Sequence, residues 1–315
     1  MNPRVAAVIT NYRTPSETLE AVESLKRTAY QDLAILVVDN DSRDGLGVQL
    51  AARHPDVRFI VNEDNLGFAG GYNTGIRAAL NEGAKYVLLM NSDAIADPRM
   101  LGQLVSVCES DPGVGIISPT IFSGDGHRIW YQGGSINRIL GYTRHPGRGE
   151  TSLRLKNEPA ETEYVSGCVM MVRREVFDAV GLLDEDYFLY YEDADFCDKA
   201  RKDFRILVHP KASALHKVGS SVGAGDSREL PPLRAYYFSR NMFIFTDKHQ
   251  RGPKRFAAMM AHFAVTGTYR ILMVLVTRQL SSLKPALQGL WDGLIGVTGR
   301  WSDHDIWAPP RVPHS

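Results

Sequence analysis

Leu33-Ala34-Ile35-Leu36-Val37-Val38 contains no polar side chain and stops abruptly at Asp39-Asn40-Asp41. A short apolar run that ends in turn formers predicts a strand buried on both faces. The pattern recurs along the first third of the chain. Arg4–Thr10 (RVAAVIT) precedes Asn11, Arg58–Val61 is a shorter run, and Tyr86–Met90 (YVLLM) precedes Asn91-Ser92-Asp93. Helical spacing fills the intervals. Ser16–Lys26 follows Pro15 with Ser16 as candidate N-cap, and Pro98–Ser110 reads as a helix before a strand at Val114–Ser118. Asn65–Gly75 reads as a glycine-rich loop that leads into a helix over Ile76–Glu82. Strands alternating with helices predict an α/β fold with a mostly parallel central sheet. Such sheets bind ligands at the carboxyl ends of their strands. Thr10-Asn11, Asp39-Asn40-Asp41 and Asn91-Ser92-Asp93 all fall at such ends, so they are expected to converge on one edge.

Further along, Gly124–Glu163 is rich in Gly, Arg and turn formers and predicts loops or a hairpin. Tyr164–Arg173 reads as a strand in which Gly167 permits close approach of a ligand or backbone. A helix over Arg174–Val180 precedes the aromatic and acidic run Tyr187-Phe188-Leu189-Tyr190-Tyr191-Glu192-Asp193-Ala194-Asp195-Phe196. Ile206–His209 is a strand, Gly219–Asp226 a flexible loop, and the chain is helical from Pro231-Pro232 to about Gly299. Two units are expected, residues 1–228 and a helical segment over 229–315.

Composition narrows the function classes. The chain has 315 residues, 44% of them apolar, enough for a full core. Lys+Arg and Asp+Glu are both 36, so no bulk nucleic-acid partner is implied. Cys108, Cys168 and Cys197 form no zinc spacing and no even set, which fits a reducing, cytoplasmic setting. The first residues lack the pattern of a signal peptide. Charge is unevenly spread: no Asp or Glu lies between Asp247 and Asp292, while Lys248, Arg251, Lys254, Arg255, Arg270, Arg278 and Lys284 do.

Each polar cluster supports more than one reading by itself. Asn65-Leu66-Gly67-Phe68-Ala69-Gly70-Gly71-Tyr72-Asn73 is neither a Walker A loop nor GxGxxG, and it suits a tight loop as well as a phosphate contact. Asp39 alone reads as a turn former, although a carboxylate there can accept an imide N–H of a nucleobase. Asp93 at a strand end could hold Mg2+ or Mn2+ with substrate phosphates completing the shell. Glu192-Asp193-Ala194-Asp195 suits a general base for a hydroxyl, or simply an acidic first helical turn with Asp193 as N-cap. His216, after Ala212–Leu215, is a metal ligand only if it lies beside Asp93.

In their order and spacing these pieces resemble glycosyltransferase family 2. The matching stretches are Val8-Ile9-Thr10-Asn11-Tyr12, Val37-Val38-Asp39-Asn40-Asp41-Ser42, the Asn65–Asn73 segment, Leu89-Met90-Asn91-Ser92-Asp93 and Tyr190–Phe196. The likeness is greatest to bacterial rhamnosyltransferases and their galactofuranosyltransferase relatives. It is strong from Arg4 to His216 and looser up to Arg240-Asn241. It implies a GT-A fold over residues 1–228 and an inverting, metal-dependent hexosyl transfer. Thr10, Asn11, Tyr12 and Asp39 would meet the nucleoside, and Asn65, Asn73, Asn91 and Ser92 would lie along nucleotide and donor sugar. Asp93 and His216 would hold Mg2+ or Mn2+, Asp193 would be the catalytic base, and Tyr191 and Glu192 would stand on the acceptor side. Asn91 departs from the expected Asp at the first position of the DXD-like motif, which leaves less negative charge for the metal. The resemblance implies dTDP-rhamnose or a UDP-sugar such as a galactofuranosyl donor, and a glycan or lipid-linked glycan acceptor.

Three rival readings differ in class. A dinucleotide-dependent oxidoreductase lacks its glycine fingerprint here, and a nucleotidyltransferase lacks its basic glycine-rich opening loop. A non-catalytic sugar-nucleotide-binding partner in a glycan assembly complex has no reason to keep Asp193, Asp93 and His216 together. In the C-terminal segment, His262 and Arg270 interrupt the apolar stretch Phe256–Thr277, so it falls short of a clean spanning helix. A helical pair packed on the domain or on a second copy, and a basic surface on the anionic inner face of the cell membrane, both fit.

Overall fold

A computed structural model describes residues 2–139, 141–151, 158–217 and 231–301. The expected loop at Gly219–Asp226 lies outside the described residues. The strands are β1 (Val5–Asn11), β2 (Leu33–Asn40), β3 (Arg58–Asn62), β4 (Tyr86–Asn91), β5 (Ala94–Ala96) and β6 (Val114–Ser123). They continue with β7 (Ile129–Tyr131), β8 (Ser135–Asn137), β9 (Tyr142–Arg144), β10 (Ala160–Glu161), β11 (Val169–Arg173) and β12 (Arg205–His216). The sheet order is β10-β12-β6-β11-β4-β1-β2-β3, with β5 beside β12 and β7 beside β6. From β3 to β4 every pairing is parallel, and so is β12 with β6; β11 runs against both its neighbours. The α/β fold with a mostly parallel sheet is as expected, and β8–β9 form the hairpin foreseen between Gly124 and Glu163.

Helices α1 (Pro15–Lys26), α2 (Leu46–Arg53), α3 (Gly67–Asn81), α4 (Met100–Ser110), α5 (Arg174–Val180) and α6 (Glu192–Ala200) accompany the sheet. Pro15 occupies the first turn of α1, so Thr14 and not Ser16 is its N-cap. The larger correction concerns the glycine-rich stretch. It is helix, not loop, from Gly67 onward. Its glycines are packing residues: a Cβ on Gly71 would stand 2.7 Å from Thr10 Cγ2, and one on Gly75 would collide with Val8. Removing those side chains lets α3 lie directly on β1. The close fit outweighs the cost of about 1 kcal/mol for each glycine within a helix.

The C-terminal part begins with α7 (Pro232–His249), whose Met242, Phe243, Ile244 and Phe245 join the core of the sheet. One continuous helix, α8 (Gly252–Val276), follows, and then α9 (Leu283–Leu294). Thus α8 is a single helix with a π-turn at His262–Gly267. It is 25 residues long, with mean hydropathy 1.4 and 17% burial over its most apolar window. By length and composition it is sufficient to cross a membrane, contrary to expectation. The two interrupting residues turn inward: His262 is fully buried against Thr246 at 2.5 Å, and Arg270 reaches Ser239 at 3.4 Å. Phe256, Met260, Phe263, Tyr269 and Leu272 are left exposed.

Candidate active site

The strand ends converge because their register is fixed by the sheet. Asn11 stands opposite Asp39, and Thr10 opposite Asn91. Asn11 is fully enclosed. Its amide nitrogen donates to Asp39 Oδ1 (2.7 Å), Ser42 Oγ (3.0 Å) and Asp44 Oδ2 (2.8 Å), and its oxygen accepts from Thr14 and Thr18. Asp39 also accepts the Ser42 N–H through Oδ2 at 3.0 Å. Asn11 therefore holds the strand ends together and has no hydrogen-bonding atom left for a nucleoside. Thr10 is half-buried with its Oγ1 enclosed and unpartnered, and Tyr12 lies under the Arg13 guanidinium at 5.1 Å.

The start of α3 is closed by side chains. Asn40 Oδ1 accepts the Leu66 N–H (3.1 Å), Asn65 Oδ1 accepts the Gly67 N–H (2.9 Å), and the Phe188 carbonyl accepts the Phe68 N–H (2.7 Å). These three amides are therefore occupied within the protein. Asn65 remains beside Asn40 at the strand ends, at 2.9 Å. Asn73 does not join them. It is buried, and it donates to the Leu183 carbonyl and Glu185 Oε1, both at 2.8 Å. Two positions beyond Gly71, it projects from another face of the helix, away from β1.

Beyond β4, the Asn91 side chain accepts from the Tyr72 hydroxyl at 3.2 Å, and Ser92 accepts from Thr14 at 3.0 Å. Asp93 Oδ1 is 3.2 Å from His216 Nε2, and both residues are buried. His216 ends β12, where pairing with Ala94 of β5 brings it back to the motif. Trp130 packs edge-on against its ring at 4.3 Å. Burial disfavours the imidazolium, but Cys168 and Asp93 raise its pKa to about 10. An imidazole and a carboxylate form a donor set that Mn2+ or Mg2+ accepts, and the buried, unpartnered Nδ1 of His216 marks a polar site without a protein partner. Among the described residues no three ligating side chains cluster, so a metal here would need ligands from outside the protein to fill its shell.

The acidic run separates into three roles. Asp195 is fully buried and bound by Lys199, His249 and Tyr187. Glu192 is buried with Oε2 unpartnered, and burial together with Asp193 pushes its pKa well up. Asp193 alone keeps partial exposure. Its Oδ2 accepts the Gly167 N–H at 3.0 Å and its Oδ1 the Ala194 N–H at 2.7 Å. Burial raises its pKa despite those two bonds. It is not the N-cap of α6; Tyr191 is, in a left-handed conformation. Tyr191 is buried, with its hydroxyl donating to the Gly141 carbonyl at 2.5 Å.

The turn that delivers Asp193 is strained. Phe188, Tyr190 and Tyr191 have φ of 61°, 69° and 78°, a region that costs non-glycine residues about 1–2 kcal/mol each. Helix α7 over-determines it. Asn241 Nδ2 donates to the carbonyls of Tyr187, Leu189 and Tyr190, and fully buried Arg240 donates to those of Asp186, Tyr187 and Gly299. In the sequence Arg240-Asn241 stands only at the far end of the resemblance, and Cys168 signals no more than a thiol; in the structure the Cys168 carbonyl accepts the Asn91 N–H at 2.8 Å. Gly167 and Cys168 thus join the Asp193 turn to the Asn91-Ser92-Asp93 motif.

The mostly parallel central sheet with its flanking and C-terminal helices is a GT-A-like fold. The profile of Glycosyl transferase family 2 matches residues 6–181, and the chain belongs to that family. It is 28% identical to the N-acetylglucosaminyl-diphospho-decaprenol L-rhamnosyltransferase of Mycobacterium tuberculosis, covering 84% of this chain and 94% of that one. It is 26% identical to a dTDP-rhamnosyl transferase of Shigella flexneri, covering 95% and 98%. A mannosyltransferase of Pyrobaculum calidifontis, solved in complex with GDP-Man and Mn2+, has the same fold, with a TM-score of 0.58 at 16% identity over 93% of this chain and 88% of that one. The chain is a glycosyltransferase.

Proposed function

We propose that this enzyme transfers rhamnose from dTDP-rhamnose, with inversion, to a hydroxyl of a glycan carried on a lipid diphosphate. The observation that carries the reading is the Gly167-Cys168 junction. Consecutive residues hold Asp193 through an N–H and Asn91 through a carbonyl, so a base and a diphosphate-facing strand end are set by one piece of backbone. The names of the two rhamnosyl-transferring relatives support the sugar.

In this reading Thr10, Tyr12 and Asp39 face the nucleoside, with Asn11 keeping Asp39 in place. Asn65, Asn91 and Ser92 line the path to the sugar. Asp193 takes the proton of the acceptor hydroxyl as its oxygen attacks the anomeric carbon, and the pKa raised by burial suits that proton transfer. Glu192 and Tyr191 flank the acceptor. Asp93 and His216 would hold Mg2+ or Mn2+, whose charge would offset that developing on the leaving diphosphate. With Asn91 in place of a carboxylate, the ion is expected to bind firmly only together with the nucleotide.

The exposed apolar residues of α8, with Lys254, Arg255 and Arg278 around them, suit the surface of an anionic bilayer at the inner face of the membrane. Arg270 does not belong to that surface, because it faces inward. Vesicles rich in anionic lipid are expected to bind the protein in low salt and release it in high salt; equal binding to neutral vesicles would remove the electrostatic role.

A galactofuranosyl donor is the second reading, favoured by 31% identity over 225 residues to a galactofuranosyltransferase of M. tuberculosis. A panel of nucleotide sugars, assayed for metal-dependent release of nucleoside diphosphate in the presence of a lipid-diphosphate glycan, separates the two. Release from dTDP-rhamnose alone is the expected result. Release from a UDP-sugar alone, or full activity in chelator, would overturn the donor or the metal respectively. Binding of sugar nucleotides without release would leave a non-catalytic partner.

A further inference from the structure

Each side chain of Asn91-Ser92-Asp93 meets a partner from a different element. Tyr72 of α3 donates its hydroxyl to Asn91 Oδ1 at 3.2 Å, Thr14 at the start of α1 donates to Ser92 at 3.0 Å, and His216 of β12 stands 3.2 Å from Asp93. The first contact decides which way the Asn91 amide faces. Tyr72 is fully buried, one turn along α3 from Phe68, and the two rings lie 4.5 Å apart. Phe68 in turn packs against Gly167, where a Cβ would stand 2.8 Å from its ring. Tyr72 is thus tied through Phe68 to the junction whose Cys168 carbonyl accepts the Asn91 N–H.

A tyrosine hydroxyl carries one proton, and an amide side chain has one oxygen and two N–H groups. Turned the other way, Asn91 would offer Nδ2 to the hydroxyl. The proton of a buried tyrosine would then lack an acceptor, which is costly. With Oδ1 held by Tyr72, the remaining N–H groups are those of Nδ2. The described residues supply no acceptor for them, and Asn91 is half-buried, not enclosed. A carboxylate at this position would repel a diphosphate until a cation joined them, whereas N–H groups attract its oxygens directly.

We infer that Tyr72 is a positioning residue for the donor: by holding Asn91 Oδ1 it turns Nδ2 toward the nucleotide sugar, where Nδ2 donates to an oxygen of the diphosphate. The metal is left to Asp93 and His216, and part of the nucleotide affinity needs no metal. The ligand's identity rests on the transfer reading, but binding is measured without turnover.

Calorimetry on the full chain gives Kd for dTDP, UDP and dTDP-rhamnose, in chelator and in Mn2+. The proteins are wild type, Tyr72→Phe, Asn91→Ala, Asn91→Asp and the double variant Tyr72→Phe with Asn91→Ala. In chelator, Tyr72→Phe and Asn91→Ala are each expected to weaken dTDP about fivefold, the loss of one hydrogen bond. Tyr72→Phe should add nothing in the Asn91→Ala background, because it acts through that amide; a loss of packing would appear in both backgrounds. Asn91→Asp should weaken dTDP about tenfold or more in chelator, and Mn2+ should restore most of that loss. Asn91→Asp carries the test by itself if Tyr72→Phe lowers Tm. Equal effects of Tyr72→Phe in both backgrounds, or dTDP binding by Asn91→Asp in chelator as tight as that of wild type, would overturn the inference. So would wild-type binding that vanishes in chelator, or a loss confined to dTDP-rhamnose, which would place Nδ2 on the sugar. The same coupling seen with UDP in place of dTDP would refute the proposed donor and leave the Tyr72–Asn91 pair standing.

Discussion

The strand-end cluster around Asp39 and the turn that carries Asp193 each present a carboxylate toward the same edge of the sheet, but they hold it by opposite means. Asp39 is the next residue of an unstrained strand, fixed by register to Asn11 and anchored by Ser42 from its own loop. Asp193 follows three residues in the left-handed region, and it depends on a helix more than forty positions later in the chain for support. The first arrangement is local and needs only the sheet. The second stores strain and needs Arg240 and Asn241 to maintain it. A binding residue can tolerate the first design, since its task is to be present. A base, the role proposed for Asp193, must stand at one distance from a reacting oxygen, and a small displacement there is costly.

If Asp193 is the base as proposed, the largest effect should come from replacing it. Asp193→Asn keeps the shape but only one acceptor for the two N–H groups of Gly167 and Ala194, a loss offset by removal of a buried charge, and it cannot take a proton. Transfer is expected to fall about 10²–10⁴-fold, the usual contribution of a general base, with nucleotide Kd and Tm nearly unchanged. Because burial raises the Asp193 pKa, activity in the wild type should decline as pH falls through a value above that of an ordinary aspartate. A variant with near-normal turnover would end the assignment, and a pH profile without this acid limb would count against it.

Next in size is the support of the turn. Arg240→Met takes a charged donor from the carbonyls of Asp186, Tyr187 and Gly299; the first two keep the Gly299 N–H and Asn241 Nδ2, and the Gly299 carbonyl loses the donor it has here. The expected destabilisation is about 3 kcal/mol, read by denaturant or thermal unfolding, with kcat falling before nucleotide affinity does. If kcat and Tm stayed at wild-type values, the strained turn would be self-supporting and the contrast between the two regions would fail.

Asp39→Ala examines the other side. One charge-assisted hydrogen bond to the nucleobase is worth about 1.5–3 kcal/mol, so nucleotide Kd should rise roughly tenfold or more. The substitution also takes one of three acceptors from Asn11 Nδ2 and leaves the Ser42 N–H unpaired, so Tm should fall slightly, unlike in Asp193→Asn. An unchanged Kd would make Asp39 a turn former alone.

This difference in support also explains what was legible in the sequence. The strand ends were readable because each follows an apolar run, and because parallel strands all end on one side. The Asp93–His216 pairing was foreseen as a condition and is met through β5, a three-residue strand with little signal of its own. The α3 glycines misled, since a glycine that lets a helix lie against a sheet looks the same in sequence as one that shapes a loop. Asn73 was placed by its neighbours in the motif, and only the helix shows that it projects elsewhere. Arg240-Asn241 gave no local signal, because a clamp is defined by what it reaches and not by its own surroundings. The acid-free stretch was legible as a charge pattern, but not which of its cations turned inward.

The smallest expected effect sharpens the comparison at its edge. His249, at the end of α7, bridges Asp195 Oδ1 at 2.7 Å and Asp198 Oδ2 at 3.0 Å on α6. Burial works against its charge, but the two carboxylates raise its pKa in the folded state. A raised folded pKa means that the protonated ring stabilises the fold fully below the unfolded value, about 6.5. That contribution is lost as pH rises through the folded value. Each pH unit between the two is worth about 1.4 kcal/mol. Asp198 behaves in the opposite sense. With its pKa lowered to about 2 by His249 and Arg138 in spite of burial, its contribution is present above the usual aspartate range and disappears toward pH 2. Stability of the wild type, relative to His249→Gln, should therefore be greatest between pH 4 and 6 and shrink above that range. Lys199 and Arg138 still pair with Asp195 and Asp198 in the variant, so its loss is limited and it should fold. A stability difference that stayed constant from pH 5 to pH 9 would mean that α7 grips α6 by packing alone, and that the ion network adds nothing to the hold on Asp193.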